Sequence, residues 1–363
     1  MSGTRPRSIG ALPLRHSRRQ SHPIIGSADP STSALHQGVA EWKSCPLGSP
    51  RVDLKPVCSA CDRGISGHSL EGFHLPKRTI TKVVRLNKAA LKTYRERTFR
   101  LPPNPPLRGP AEAVRFVEAR GFVFFWPIQG IDLPSLWAAV AGDRPVASAH
   151  DDPAHVTWRW KDALLSQKRW FYAKLLRGKA TIVGLADLPY FYALSERVDE
   201  PDDFRLAYDE GRLSWEAKLV AEALLEHGAQ HTIRIRQLAH MEGGAFKSRF
   251  ERALTELQRG LWILPIGVAE AGSWHYAFIY ELFDRWLAET GGLARTIDRP
   301  DARLHLAGRY LDSVGAAEPR QLSQLFGWHA DVTSETLAGL QSRTRAVELD
   351  DGRWATTDLV GGE

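Results

Sequence analysis

Apolar residues recur at helical spacing in three successive segments between residues 214 and 260, and two apolar runs follow them. The first helix is expected between Ser214, a favoured N-cap residue, and Gly228, which favours the end of a helix. The next two helices are predicted in TIRIRQLAHM and GAFKSRFERALTELQRG, and the runs LWILPIGV and WHYAFIY, joined by the turn AEAGS, predict a hairpin. This order, three helices and then a hairpin, is that of a winged helix.

The same plan recurs toward the end of the sequence. ARLHLAGRYLDSVG predicts a helix that ends at Gly315, EPRQLSQLFGW predicts a second helix with Pro319 near its start, and TSETLAGLQSR predicts a third. RAVELDDGRWATTDLV then predicts a hairpin whose turn carries Asp351-Gly352, a favoured turn pair. Since the plan occurs twice, the chain is predicted to be mainly α with small β-hairpins, built from tandem winged-helix (helix-turn-helix) units.

The pattern before residue 140 is less regular. LNKAALKTYRERTF has helical spacing, with Leu86, Ala90 and Tyr94 along one side, and LPPNPPLRGP breaks that helix. PAEAVRFVEARG predicts a short helix that begins at Pro110 and stops at Gly121. FVFFWPI follows it as an apolar strand or a buried turn.

These elements divide the chain into four parts. A divergent first winged-helix unit with a basic and aromatic segment is predicted at residues 83–205, a second unit at 212–290 and a third at 300–360. Residues 1–80 are rich in Arg, Ser, Pro, Gly and His without a sustained period, so they are predicted to be disordered or extraneous to the folded protein. The alternative is a zinc site, whose candidate ligands are Cys45, Cys58, Cys61 and either His68 or His74.

Charge is distributed unevenly along the sequence. The net charge of +6 combines 18 Lys and Arg against 6 Asp and Glu in residues 1–100 with 30 against 36 in the remainder. The part that is predicted to fold is therefore not basic as a whole. Residues 155–184 are a local exception, with seven Lys and Arg and one acid. A local basic patch is what binding to nucleic acid phosphates requires.

Residues 157–181 interleave this positive charge with aromatic rings. Rings that stack on bases, together with cations that hold phosphates, are typical of nucleic acid binding. The alternative is that the rings pack between units while the cations face solvent. LLSQKRWFYAKLLRG has helical spacing, and the two tryptophans of TWRW would point the same way from an extended segment. The candidate DNA contacts in this segment are Trp158, Trp160, Lys161, Lys168, Arg169 and Lys174.

The third helix of the 212–290 unit is the element that enters the groove when a winged helix binds DNA. It carries Lys247, Ser248, Arg249 and Arg252 at its start and along one side. These four residues are predicted to contact DNA. The alternative is an ordinary solvated helix face, in which neighbouring glutamates balance the positive charge.

The segment RYLDSVGAAEPRQLSQLFGW, from Arg309 to Trp328, resembles the "RY…GP…D…W.G" segment of the AlkZ/YcaQ-type winged-helix DNA glycosylases. The likeness extends more loosely over residues 85–360, including the unit at 214–280 and GFVFFWPIQGIDLPSLW. It implies a tandem array of winged helices with a concave face that binds double-stranded DNA. It also implies hydrolysis of the N-glycosidic bond of alkylated or bulky damaged bases in DNA repair.

The catalytic motif of that family is Gln-x-Gln or Gln-x-Asp in the first unit, where the pair positions water against the anomeric carbon. This chain offers Gln129 and Asp132, which are one residue further apart. A carboxylate beside that carbon is chemically sensible, because hydrolysis passes through an oxocarbenium-like state. Two alternatives stay open. Either Phe124 and Trp126 occupy the motif positions and no catalytic pair remains, or Asp132 caps the helix in LPSLWAAVAG.

Other chemistry finds no support in the sequence. It contains no H-E-x-x-H, G-x-x-x-x-G-K-[ST] or G-x-S-x-G motif, so neither a metal nor a cofactor is predicted. No apolar run approaches the ~20 residues needed to span a bilayer, and the first thirty residues lack a secretory apolar region. Three cysteines indicate a reducing compartment. The protein is therefore expected to be a cytoplasmic monomer.

Three function hypotheses follow from this pattern. The first is an AlkZ-like DNA glycosylase. The second is a non-catalytic DNA-binding or regulatory protein on the same scaffold, which excision of a damaged base distinguishes from the first. The third treats the winged helices as protein-interaction modules, which a DNA titration at low salt distinguishes from both.

Overall fold

The computed structural model of this protein describes residues 85–147, 151–198, 200–272 and 275–361. Residues 1–80, and with them the candidate zinc ligands, lie outside the described residues. The described part is mainly helical with small antiparallel sheets, as the sequence predicts.

Helices form most of the described chain. The earlier ones are α1 (Lys88–Thr98), α2 (Pro110–Arg120), α3 (Leu136–Ala141), α4 (Val156–Leu165), α5 (Leu188–Leu194), α6 (Phe204–Asp209) and α7 (Trp215–His227). The later ones are α8 (Thr232–Leu238), α9 (Lys247–Arg259), α10 (Phe283–Trp286), α11 (Glu289–Ala294), α12 (Arg299–Val314), α13 (Pro319–Phe326), α14 (Ala330–Ser342) and α15 (Thr357–Val360). Single 3₁₀ turns are formed by Pro153–His155, Leu176–Gly178 and Gly244–Phe246.

Short strands form three sheets in the described residues. The strands are β1 (Phe122–Phe124), β2 (Phe171–Ala173), β3 (Thr181–Val183), β4 (Gln230–His231), β5 (Ile263–Ala269), β6 (Ala277–Leu282), β7 (Ala316–Ala317), β8 (Ala346–Glu348) and β9 (Trp354–Thr356). In each sheet the last strand lies between the other two, giving the orders β1-β3-β2, β4-β6-β5 and β7-β9-β8. All of these pairings are antiparallel.

The three sheets mark three repeats of one chain order: helix, strand, helix, helix, strand, strand. The first repeat covers residues 110–183, the second 215–282 and the third 299–356. The sequence pattern indicates the helices and the hairpin of the last two repeats. It misses β4 and β7 because a strand of two residues leaves no period to detect.

Local capping chemistry sets many of the helix ends. The Ser214 Oγ accepts a hydrogen bond from the Ala217 N–H and caps α7, and Gly228 ends the same helix at a φ of 70°. Gly121 and Gly315 end α2 and α12 at φ values of 82° and 79°, which glycine adopts at no steric cost. These helix ends confirm the ones predicted from the sequence.

The structure corrects the helix that was predicted in LLSQKRWFYAKLLRG. The helix α4 ends at Leu165, and Lys168 adopts a φ of 50° that a helix cannot contain. Phe171–Ala173 then forms β2, which pairs with β3. Pairing with a strand ten residues away supplies the backbone hydrogen bonds that a helix would have supplied locally, so tertiary context overrides the apolar period.

One hydrophobic core joins the first and third repeats. Phe122, Phe171 and Tyr310 are fully buried in it, and the rings of Phe122 and Phe326 pack edge to face at 5.9 Å. Full burial of one large apolar side chain contributes ~1.5–3 kcal/mol to the free energy of folding. The second repeat has a core of its own around Val220, Leu257 and neighbouring residues. The shared core fixes the position of the loop after β1 relative to α12 and α13.

A buried carboxylate ties the first repeat to the third. Asp187 accepts hydrogen bonds from Arg309 Nε at 2.9 Å and Nη2 at 3.1 Å, and His305 Nε2 lies 2.7 Å from its Oδ1. Arg309 also donates to the carbonyls of Glu118 and Ala119 at the end of α2. Burial by itself raises the pKa of Asp187, but the hydrogen bonds from His305 and Arg309 outweigh it, so the pKa lies below its ordinary value.

We expect Asp187→Asn to lower the free energy of unfolding at pH 7 by about 2–3 kcal/mol, below the usual cost of breaking a fully buried ion pair because Arg309 keeps some solvent contact. Because the pKa of Asp187 is lower in the folded than in the unfolded protein, its ionised form stabilises the fold. This stabilisation is complete above the pKa of the unfolded state and is lost as the pH falls through the pKa of the folded state. The difference from wild type should therefore shrink below about pH 4. Urea unfolding across pH 3–8 measures it, and Asp202→Asn, in an exposed ion pair, serves as the control. A difference that stays constant down to pH 3 contradicts this assignment.

Candidate nucleic-acid interface

Asp132 lies in the loop between β1 and α3, against helices of the third repeat. Its carboxylate pairs with Arg95 Nη2 at 3.1 Å and accepts a hydrogen bond from Gln321 Nε2 at 3.4 Å. Arg95 in turn donates to the carbonyls of Val314 and Ala316. The Asp132 side chain remains 42% exposed. It is therefore held in place and still accessible to water.

Asp132 does not cap the helix that follows. Ser135 occupies the N-cap of α3, and its Oγ accepts a hydrogen bond from the Ala138 N–H at 3.1 Å. The capping hypothesis for Asp132 is wrong, because a serine directly before the helix already performs that role.

Two adjoining hollows meet at the Asp132 loop. The smaller, of about 30 Å³, is lined by Asp132, Tyr310 and Gln321 among others and has room for a water molecule. The larger is open, measures about 710 Å³ and is lined by Gln129. Their shared lining residues are Gly130, Ile131, Arg177 and Gln324. The loop thus places an exposed amide and a hydrogen-bonded carboxylate around one concave site.

Phe124 and Trp126 cannot supply acid–base chemistry. Phe124 belongs to β1 and is 0% exposed, packed in the core shared with the third repeat. Trp126 packs on Trp137 at 5.1 Å between ring centroids and on Trp158 at 5.8 Å. If these two positions take the place of the family motif, they are structural.

Two of the candidate contacts in residues 157–181 are buried, which corrects the prediction for them. Trp160 is 7% exposed in a core cluster, and Lys161 is 0% exposed. The Lys161 ammonium donates to Asp162 and to the Tyr276 hydroxyl, at 2.5 and 3.0 Å. Five aromatic rings surround that ammonium within 6 Å. Burial lowers the pKa of Lys161, and Asp162 opposes the shift.

Trp158 faces away from Trp160 because both lie in helix α4 rather than in an extended segment. Its side chain is 36% exposed and packs on Phe125 and Tyr276, at 5.7 and 6.1 Å between ring centroids. An exposed ring on a rigid aromatic base remains available for stacking.

The other three cations predicted to contact DNA in residues 157–181 are accessible to different degrees. Lys168 and Arg169 are exposed in the turn after α4, with Lys168 Nζ 4.4 Å from the centroid of the Trp286 ring. Lys174 is partly buried, and its Nζ donates to Thr255 Oγ1 at 3.3 Å. This contact joins the first repeat to helix α9 of the second.

Helix α9 presents a polar stripe to this junction. Ser248, Arg252, Thr255 and Arg259 follow one another at steps of four, three and four residues, so they lie on one side of the helix. A Cβ atom at Gly178 would lie 3.9 Å from Arg259 Cδ, so the Leu176–Gly178 turn packs on the end of this stripe. The other two predicted contacts, Lys247 and Arg249, are exposed on the first turn, and Arg249 pairs with Glu216 at 3.7 Å.

Sequence reasoning missed the cations at the centre of this surface. Arg177, Arg259, Arg299 and Arg303 line a cavity of about 650 Å³ together with Trp328. Arg177 also lines the hollows beside Asp132 and donates to the Gln324 carbonyl at 2.9 Å. The one sequence feature that could have indicated Arg177 is its place in the basic segment of residues 155–184. Arg259, Arg299 and Arg303 stand in amphipathic helices, where a single sequence does not distinguish a binding arginine from a solvated one. We call Lys174, Arg177, Lys179, Arg252, Arg259, Arg299 and Arg303 the basic surface.

Few negative charges offset the basic surface. Arg252, Arg259, Arg303 and Lys179 form no ion pair within the described parts of the chain. The carboxylates that line its cavities are Glu196 and Asp132, which pair with Arg212 and Arg95. Within the described ranges, these four cations therefore keep their charge free of a direct carboxylate partner.

The described ranges contain neither a cluster of metal-ligating side chains nor a membrane-spanning helix. No group of three or more His, Cys, Asp or Glu side chains is placed there to hold a metal ion. None of the helices in these ranges has the length and apolarity that crossing a membrane requires.

A comparison with known protein families gives a match. A family model described as AlkZ related matches residues 107–327, which is more than half of the chain. A solved structure, the Streptomyces sahachiroi DNA glycosylase AlkZ, is similar over 74% of this chain and 69% of its own, at 11% sequence identity and a TM-score of 0.47. A comparison with curated proteins gave no match.

Proposed function

The chain belongs to the AlkZ-related family, and we propose that it is a DNA-repair protein that binds double-stranded DNA through three tandem winged helices. The order of elements in each repeat supports this, because a helix, a short strand, two helices and a hairpin are the parts of a winged helix. The order of strands is the same in all three sheets. We propose unit bounds of 83–205, 212–290 and 300–360.

The observation that carries the proposal is the basic surface. It draws cations from all three repeats into one continuous region, with Arg177 at the point where its cavities meet. The remainder of the chain after residue 100 is net acidic, so this concentration of positive charge is local. Duplex DNA presents one phosphate charge per ~1.7 Å of its axis, and a cationic concave surface attracts it.

Further contacts extend the proposed interface beyond the basic surface. Ser248 and Lys247 lie at the start of α9, where a recognition helix meets the groove. Lys168, Arg169 and Arg249 would add phosphate contacts at its edge, and Trp158 would stack on an unpaired base. Trp160 and Lys161 are excluded because they are buried.

We expect the double variant Arg177→Ala/Arg259→Ala to weaken binding to duplex DNA about equally for all sequences. Each lost phosphate contact should reduce the slope of log K against log salt by ~0.9, so the pair should reduce it by ~1.8. Fluorescence anisotropy titrations from 50 to 300 mM salt measure the slope for wild type and for the double variant.

The control for this experiment is Arg205→Ala/Arg343→Ala, which removes two exposed arginines already paired with Asp202 and Asp301. We expect the control to keep the wild-type slope. If Arg177→Ala/Arg259→Ala also keeps it, the basic surface is a solvated face and the protein does not bind DNA there.

A second candidate function is excision of a damaged base by hydrolysis. Its support is the hollow beside Asp132, which has room for one water next to a carboxylate, with the Gln129 amide on the same loop. That water would attack the anomeric carbon as the C–N bond breaks and the base leaves with the bonding electrons. The proton that the water loses would pass to the departing base or to solvent. The ionised Asp132 would stabilise positive charge on the sugar, and Gln129 would orient the water. The reaction requires no cofactor.

The burial of Phe124 supports the alternative, a DNA-binding protein without excision activity. If β1 carries the family's motif positions, those positions hold a phenylalanine and a tryptophan, and neither side chain can activate water. The excision assay described in the Discussion separates these two candidates.

A further inference from the structure

Four arginines surround a second cavity, which lies between α1 and α2 at the surface of α12. Arg97 and Arg100 come from the end of α1 and the residues after it, and Arg115 and Arg120 come from α2. The cavity measures about 610 Å³ and opens to solvent. We call it the arginine pocket. It shares no lining residue with the cavities of the basic surface.

These arginines lack carboxylate partners. Within the described ranges, none of the four forms an ion pair with an acid. Arg120 Nη1 donates to the Asp312 carbonyl at 3.1 Å, and the Arg97 guanidinium lies 5.0 Å from the centroid of the Tyr94 ring. The Arg100 Nε is buried without a hydrogen-bond partner.

The acids that face the pocket do not neutralise it. Asp312 pairs with Arg345 at 2.7 Å and accepts a hydrogen bond from the Thr356 hydroxyl. Glu112 accepts a hydrogen bond from the Arg108 N–H, and Asp358 stands at the exposed rim. Arg309 also lines the pocket, but Asp187 balances its charge. Four arginines therefore face two carboxylates, Glu112 and Asp358, which form no ion pair within the described ranges.

Like charges at close range raise the free energy of the empty pocket. Burial lowers the pKa of Arg120, and the neighbouring Arg309 and Arg97 lower it further, against the opposite effect of Tyr94 and Asp312. An anion of two or more charges would relieve this repulsion and supply acceptors to several guanidinium groups at once.

We propose that the arginine pocket binds a phosphate-bearing anion. Guanidinium groups match the tetrahedral oxygens of phosphate with paired N–H donors, which a lysine cluster cannot do. The volume exceeds that of a single phosphate, and Leu107 and Phe116 add apolar wall on one side. Because the pocket is separate from the basic surface, binding there does not require the proposed function.

The probe for this site is inorganic pyrophosphate, titrated calorimetrically into the full chain at low ionic strength. We expect the variant Arg97→Gln/Arg115→Gln to weaken pyrophosphate binding about 100-fold, at about tenfold for each lost charge-assisted contact. Both side chains are exposed, so the variant should melt like wild type without ligand. Arg177→Ala/Arg259→Ala should leave pyrophosphate binding unchanged.

A DNA titration of the same variant identifies the source of the phosphate. If Arg97→Gln/Arg115→Gln loses pyrophosphate binding and keeps the wild-type salt slope for duplex DNA, the pocket takes a free phosphorylated molecule. If it also lowers that slope, the pocket holds a phosphate of the DNA backbone. If wild type and the variant are alike in both titrations, whether or not pyrophosphate binds, the proposal is overturned.

Discussion

Replacing Asp132 by asparagine is expected to slow single-turnover base excision at least ~100-fold, the lower range for removing one electrostatic group from an active site. The physical reason is the loss of the negative charge beside the water-sized hollow, where positive charge develops on the sugar. Asparagine keeps the size of the side chain and one acceptor oxygen. Arg95 retains its carbonyl partners Val314 and Ala316, so the melting temperature should change little.

The matched control is Asp143→Asn, an exposed aspartate shortly after α3. It makes the same change of charge, and we expect it to leave excision unchanged. Alkylated duplexes of several kinds should be tested under enzyme excess, with release of the free base as the readout. Unchanged excision by Asp132→Asn clears Asp132 of a catalytic role. No excision by wild type on any substrate leaves a DNA-binding protein, in agreement with the burial of Phe124.

Removing the buried cation Arg197 is expected to lower the free energy of unfolding by ~3–5 kcal/mol, the usual cost of breaking a buried ion pair. Its side chain is 1% exposed and pairs with Asp203 at 2.6 Å and with Asp284. Arg197 also donates to the Leu261 carbonyl, and Trp262 Nε1 donates to Asp203 at 2.8 Å. Burial raises the pKa of Asp284 even though Arg197 opposes the shift. Arg197→Ala would leave two carboxylates in a dry site without a counterion.

Urea unfolding at pH 7 measures this effect, and Arg205→Ala supplies the comparison. Arg205 pairs with Asp202 where both side chains are about half exposed, so its removal should cost no more than ~1 kcal/mol. Adding Asp203→Asn and Asp284→Asn to Arg197→Ala should restore part of the stability, because it removes the unpaired charges. Equal losses for Arg197→Ala and Arg205→Ala contradict this account of the network.

The helix ends of the second and third repeats could be predicted because adjacent residues determine them. The Ser214 side chain binds a backbone N–H three residues ahead, and Gly228 and Gly315 provide the left-handed conformation at the position where it is needed. Gly352, in the predicted hairpin turn, likewise has a φ of 79°. The spacing of apolar residues gives the helices between these ends. Mainly α architecture with small hairpins follows from such local signals.

The candidate site could be predicted only in part. The loop with Gln129 and Asp132 and the basic segment stand out as chemistry in the sequence. Most of their partners do not, because Arg95, Gln321, Arg259 and the arginines of α12 lie far away along the chain. The ion pair of Asp132 and its nearness to Tyr310 exist only when the first and third repeats share a core.

The sequence by itself determined the main helices of the second and third repeats, the glycines that end two of them, and where positive charge is concentrated along the chain. Only the tertiary structure decided that Phe171–Ala173 is a strand, that Lys161 is buried among aromatic rings, and that Arg177 and Arg259 line the same cavity. The physical reason is how far apart along the chain the interacting residues lie. Caps and periods act within one or two turns of backbone, whereas strand pairing, burial and the clustering of like charges depend on which distant segments the shared core brings together.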